Sequence, residues 1–221
     1  MTSSSLSLKS SDEGAASESG VDRGRRRRPG YDRESVLAVA VEVFNTHGYD
    51  GTSMGVLARR LGISKAGIYY HVDSKEDLLA RACDRALRSL EEALDEVIAS
   101  EGSARDRLEL LLRRAVQVLH DQLPYVTLLL RVRGNTEVER AALERRRQLD
   151  HRCAELVDQA RAEGSLRADL DPLLTMRFVY GTVNSLVEWY RPEGEHSVEE
   201  VADALVSMVF RGLEVHGGVP D

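Results

Sequence analysis

Between residues 52 and 75 the chain gathers hydroxyls, cations and aromatic donors at short spacing: Thr52, Ser53, Ser64, Lys65, Tyr69, Tyr70, His71 and Lys75, with the small Ala66 and Gly67 among them. Nothing in this set pairs a nucleophile with a base. These are the groups that meet phosphate oxygens and the edges of bases, so the chemistry they offer is nucleic-acid recognition. Val56, Leu57 and Leu61 fall on one side of a short helix, with Arg59 and Arg60 on the other. The pattern breaks at Leu61-Gly62-Ile63, where Gly62 supplies a tight turn. Ser64 then caps a second helix that runs to near His71. Two short helices joined by a glycine turn predict a helix-turn-helix, whose second helix enters a major groove.

The flanking elements follow from the same signals. Asp32 caps a first helix through His47, with Val36, Leu37, Ala40, Val43 and Phe44 on one face and Gly48 as its stop. Thr52 or Ser53 caps the second helix, whose first turn would offer N–H and hydroxyl groups to a phosphate. Ser74-Lys75-Glu76-Asp77 is a capping-box-like start for a long connecting helix to about Ala99. Lys75 is poorly placed for the dipole of that helix, so it is expected to face DNA phosphate. Further helices are expected over 104–122, 124–131, 137–163, 172–191 and 198–216, separated at Gly102, Gly134, Gly164 and Pro192-Glu193-Gly194. The last two are rich in apolar residues, more than one small domain needs to bury, which predicts a partner surface.

Composition narrows the classes. The chain has 221 residues, 42% of them hydrophobic, five prolines and no sustained alternating apolar pattern, which argues against a β architecture and for an all-α fold. No apolar run approaches the roughly 20 residues of a membrane span, and the amino terminus lacks the core of a secretory signal. Cys83 and Cys153 are far apart and read as buried, reduced thiols rather than a disulfide or ligand pair. The net charge of −7 is unevenly spread: residues 1–30 carry six basic and four acidic groups, 31–81 six and seven, and 82–221 eighteen and twenty-six. The positive feature is Arg25, Arg26, Arg27 and Arg28, just before Pro29. This run reads either as a solvated tail or as an arm that reaches phosphates beside the recognition helix. Walker, nucleophile-elbow and HExxH patterns are missing, and the six histidines lack close metal-ligand spacing. A metal-sensing pairing of His120-Asp121 with His151 has no support from spacing, and no resident cofactor is expected.

Phe44-Asn45-Thr46-His47-Gly48-Tyr49, Thr52-Ser53, Leu57-Ala58, Gly62-Ile63-Ser64-Lys65, Ile68-Tyr69-Tyr70-His71 and Ser74-Lys75-Glu76-Asp77-Leu78 occur in order. Together they resemble the amino-terminal domain of TetR-type transcriptional repressors over residues 31–80. Val72 stands where the family usually has Phe, and Gly55 replaces a larger residue. The resemblance implies a basic arm (1–30), a DNA-binding domain (31–80), a ligand-binding and dimerisation domain (81–216) and a tail (217–221). It further implies a cytoplasmic homodimer joined through its last two helices, a palindromic double-stranded DNA operator and a small-molecule effector.

A finer resemblance covers residues 120–195. Trp189-Tyr190-Arg191-Pro192, with Leu129-Leu130-Arg131-Val132-Arg133-Gly134-Asn135, is similar to regulators that respond to coenzyme A thioesters, most of all to those of phenylacetate catabolism. It implies an apolar tunnel with cations at its mouth. Candidate ligand residues are Leu129, Arg133, Arg177, Tyr180, Asn184, Glu188 and Trp189. Leu128, Phe178, Val183 and Leu186 are further tunnel candidates, and Arg131 and Arg191 further cations. Against this, Glu188 would repel phosphates, Asn184 and Glu188 can bond across a dimer interface, and Trp189 and Tyr190 can pack there. Arg145-Arg146-Arg147 reads as a solvated helix face. A TetR-type repressor for another lipophile, and a DNA-binding regulator without an effector, remain open.

Overall fold

The computed structural model describes residues 32–213. Within them the chain is all helical: α1 (Arg33–His47), α2 (Met54–Leu61), α3 (Lys65–Ile68), α4 (Lys75–Ala99), α5 (Ala104–Asp121), α6 (Leu123–Arg131), α7 (Glu137–Ala162), α8 (Pro172–Trp189) and α9 (Val198–Leu213). The expected boundary between residues 80 and 81 falls inside α4, which runs unbroken from the small amino-terminal helices into the remainder.

Capping chemistry sets the ends. The Asp32 carboxylate accepts the Ser35 N–H at 2.7 Å, and Gly48 stops α1 at φ +79° with its N–H donated to the Phe44 carbonyl. Ser53, not Thr52, caps α2. Gly62 takes φ +66°, a left-handed conformation that a side chain would strain, and Ile63 then donates back to the Ala58 carbonyl at 3.0 Å. Ser64 accepts the Gly67 N–H at 2.9 Å, and Ser74 the Asp77 N–H at 3.0 Å. The recognition helix is shorter than expected. Its regular part ends at Ile68, and the last turn tightens as His71 donates to the Ile68 carbonyl at 3.0 Å. With Gly67 in a four-residue helix, little intrinsic propensity sustains a longer one.

A continuous apolar cluster extends from Val36 on α1 to Phe210 on α9. Phe44, Leu57, Ile68, Leu78 and Leu79 fill the space between α1, α2, α3 and α4, each essentially inaccessible to solvent. Val72 completes that floor at 3% exposure, so the smaller residue still packs. Farther along, α7 packs on α4, α5 and α8, while α9 lies along α5. The short α6 is wedged between α1, α4, α5 and α8. No helix among the described residues is long and apolar enough to cross a membrane.

Candidate nucleic-acid interface and effector cavity

The α3 surface is built from the inside out. Ile68 is wholly buried and pins the helix to the floor, leaving Ser64, Lys65, Ala66, Tyr69 and Tyr70 outward. Tyr69 is 47% exposed and Tyr70 84%, an exposure of large rings that folding alone does not explain. Tyr70 meets His71 edge to face at 5.4 Å. Ser53 is also exposed at the start of α2. Two expected contacts are instead engaged internally. Thr52 is buried and donates its hydroxyl to the Gly48 carbonyl at 2.8 Å, closing the turn after α1. Lys75 donates to the Tyr49 carbonyl at 3.0 Å with its ammonium 4.1 Å from the centre of the Tyr49 ring. The unfavourable dipole is thus offset by an internal acceptor and a ring face. Arg25, Arg26, Arg27 and Arg28 lie outside the described residues.

The second site is a cavity of about 40 Å³ among α4, α5, α6, α7 and α8. Leu129 of α6 and Tyr180, Val183 and Asn184 of α8 line it. Tyr180 places its hydroxyl 3.1 Å from the Cys153 thiol, and burial raises both groups, the thiol to about 12. Burial raises the Cys83 thiol to about 12 as well, so neither cysteine has thiolate character near neutral pH.

The other expected ligand residues are elsewhere. Arg133 and Leu128 line a cleft between α1 and the α6–α7 segment. Arg131 in that cleft donates to the Asn45 carbonyl. Arg177, Phe178 and Glu188 are exposed on α8, and Arg191 bonds the Tyr190 carbonyl at 2.7 Å. Leu186 and Trp189 line a separate groove of about 310 Å³ facing α9. Helix geometry explains why the Tyr180–Asn184–Glu188 stripe divides: each step of four residues turns about 40°, so by Glu188 the side chain has drifted roughly 80° from Tyr180.

The solvated-face reading of 145–147 needs correction residue by residue. Arg145 forks onto Glu91 at 2.7 Å and Asp84 at 2.9 Å, tying α7 to α4. Arg147 is outward and pairs with Glu144 at 2.6 Å. Arg146 lines the cavity together with Asp150. Burial lowers the Arg146 guanidinium and raises the Asp150 carboxyl, and the opposite charge of each partly offsets this. A sequence signal exists: residues 139, 142, 146, 149, 153, 156 and 160 alternate steps of three and four, and the rest of that stripe is buried. Arg146 interrupts the stripe, and the run of three arginines masks its register. His120, offered as a metal ligand, instead places Nδ1 2.7 Å from the Tyr190 hydroxyl.

The cavity and the amino-terminal helices are physically joined through α6. One side of α6 gives Val126, Leu129 and Leu130 to the cavity. Its amino end accepts the Asn45 side-chain amide at the Pro124 carbonyl, 2.8 Å away on α1's side. Arg85 of α4 braces the same junction: it pairs with Glu34, bonds Gln122 at 2.8 Å and stacks 4.3 Å over Tyr125.

A solvent-facing recognition helix, a glycine turn and a helical body with an internal cavity define a DNA-binding regulator. Residues 36–82 match the bacterial regulatory proteins of the tetR family, and residues 101–213 match the tetracyclin repressor-like C-terminal domain. The chain belongs to the TetR family of transcriptional regulators. It is 28% identical over 189 residues to the HTH-type transcriptional repressor KstR2 of Rhodococcus jostii, covering 82% of this chain and 90% of that one. Among solved structures, SCO3833, a TetR-family member from Streptomyces coelicolor, shares 56% identity over 81% of this chain and 91% of its own, with a TM-score of 0.76. AibR, solved with isovaleryl coenzyme A and operator DNA, is 26% identical over 80% of this chain and 97% of its own, with a TM-score of 0.70.

Proposed function

We propose that this protein is a transcriptional repressor that binds a palindromic operator as a homodimer and leaves it when a small-molecule effector enlarges the α4–α8 cavity. The observation that carries the reading is α3 and the turn that follows it: Lys65, Tyr69 and Tyr70 stand in solvent around a helix that Ile68 locks from behind. Ser53, Ser64, Ala66, Gly67 and His71 complete the surface offered to the groove, and Arg25–Arg28 add an arm toward the phosphates. Repression is the economical outcome, because tight operator binding alone excludes polymerase.

The dimer reading rests on α8 and α9. Leu174, Phe178, Trp189 and Met208 are each about half exposed or more, an apolar face that a second copy would cover. Twofold symmetry then sets two α3 helices roughly 34–36 Å apart, one turn of DNA. The protein works in the cytoplasm, with its operator.

For the effector we favour a coenzyme A thioester, with phenylacetyl-CoA as the first candidate. Support comes from the apolar lining, from the exposed arginines Arg133 and Arg177 as candidate phosphate contacts, and from AibR, a relative solved with an acyl-CoA. A void of about 40 Å³ holds little more than a water molecule. An acyl group must therefore push the helices apart, and α6, bonded to α1, carries that displacement toward α3. Such a ligand binds the opened form better than the closed one, the differential affinity that release requires.

Fluorescence anisotropy of labelled DNA from the region upstream of this protein's own reading frame tests the proposal. Binding that phenylacetyl-CoA reverses and free coenzyme A does not is the expected result. Tight binding that neither compound disturbs would remove the thioester, and failure to bind any inverted repeat would remove the repressor.

A further inference from the structure

The α4–α8 cavity has a polar end that an unsubstituted acyl chain would leave unsatisfied. Arg146 and Asp150 lie one turn apart on α7, and with Asn184 of α8 they border the same space as Leu119, Leu129 and Val183. Neighbouring arginines are all paired: Arg145 with Glu91 and Asp84, Arg147 with Glu144, Arg152 with Asp95. Among the described residues, by contrast, the Arg146, Asp150 and Asn184 side chains form no hydrogen bond, and Arg146 and Asp150 are held to each other only by charge attraction. None of their polar atoms is both sealed from solvent and unbonded, so water can satisfy them, and a ligand that displaces that water must replace its hydrogen bonds or lose affinity.

We propose that this end of the cavity receives a neutral oxygen, a hydroxyl or a carbonyl, carried on the otherwise apolar body of the effector. Arg146 donates to that oxygen, and Asp150 accepts from it where it is a hydroxyl. A second carboxylate would face Asp150, and a plain hydrocarbon would leave the guanidinium without an acceptor. Burial, which shifts Arg146 and Asp150 each toward its neutral form, agrees with a site made for an uncharged group. The inference rests on the cavity being the effector site and names the chemistry of the effector's buried end.

The test compares isosteric ligands that differ by hydroxyl against methyl: phenol with toluene, and 4-hydroxyphenylacetyl-CoA with 4-methylphenylacetyl-CoA. Affinities are measured by calorimetry on the full chain and on its Arg146→Met, Arg146→Gln and Asp150→Asn variants. The hydroxyl-to-methyl affinity ratio of the wild type is expected to fall by about tenfold or more in Arg146→Met, as for a hydrogen bond to a charged donor. Arg146→Gln, which keeps a donor, should retain part of the preference, and serves with Asp150→Asn if Arg146→Met melts early. A smaller change in both ligand pairs would overturn the proposal, as would failure of every probe to bind. A change seen with phenol and toluene alone, neither thioester binding, would keep the polar end and remove the thioester. Thioesters that bind without hydroxyl preference would do the reverse.

Discussion

The proposed DNA-facing surface and the proposed effector cavity are opposite solutions to presenting chemistry. On α3 the functional groups are outward and contiguous in sequence, and one apolar side chain, Ile68, holds them in place. Around the cavity they are inward and drawn from five helices, with the polar members Arg146, Asp150 and Asn184 set into a wall of leucines and valines. A surface site of the first kind can change without disturbing the core. A site of the second kind is part of the core, so whatever fills it must move helices.

That contrast can be broken most severely at the anchor. Ile68→Ala empties a fully buried position, with a cost of about 2–5 kcal/mol. It should lower the denaturant midpoint of the chain and abolish operator binding together. If DNA affinity survived, α3 would not depend on its floor.

Tyr70→Ala sharpens the comparison from the outside. The ring is 84% exposed, so stability should stay within about 0.5 kcal/mol of wild type. DNA affinity should fall roughly 10- to 100-fold, as when a good groove interaction is removed. An unchanged affinity in anisotropy titrations would move the contact surface off the end of α3.

Deleting residues 1–28 should weaken DNA binding and flatten the slope of log K against log salt, by about 0.9 for each phosphate the arm no longer neutralises. Sequence preference should remain. A slope equal to that of the full chain would make the arginine run a solvated tail.

Gly55→Ala should have the smallest effect. A methyl group there would come no closer than 3.7 Å to the Ser53 hydroxyl, and α2 gains helix propensity. Stability should rise by about 0.4–1 kcal/mol with DNA affinity unchanged. A loss of stability on thermal melting would show that the backbone at Gly55 is more constrained than its surroundings indicate.

Local signals carry the head of the molecule almost to the residue. Asp32, Ser64 and Ser74 cap the helices that their positions predict, and Gly48 and Gly62 terminate theirs with positive φ. Thr52 and Lys75 depart from expectation because their partners, the Gly48 and Tyr49 carbonyls, come close only once the turn after α1 has formed. The cavity is less legible for the same kind of reason. Leu129, Tyr180 and Asn184 meet there, but their convergence depends on the packing of α6 against α8, which no spacing along the chain encodes. Arg146 has a local signal in the three-four rhythm of α7, and its two arginine neighbours conceal it.

The measurement that bears most directly on a head governed by its cavity is reciprocal linkage. Effector affinity is determined by calorimetry for the free protein and again for the protein saturated with operator DNA, using the thioester that most weakens DNA binding in the anisotropy assay. The two equilibria share one coupling free energy, so operator should weaken effector binding by the same factor by which effector weakens operator binding. Equal effector affinity in the two states would contradict the account, and would leave α3 a DNA-binding surface without a switch.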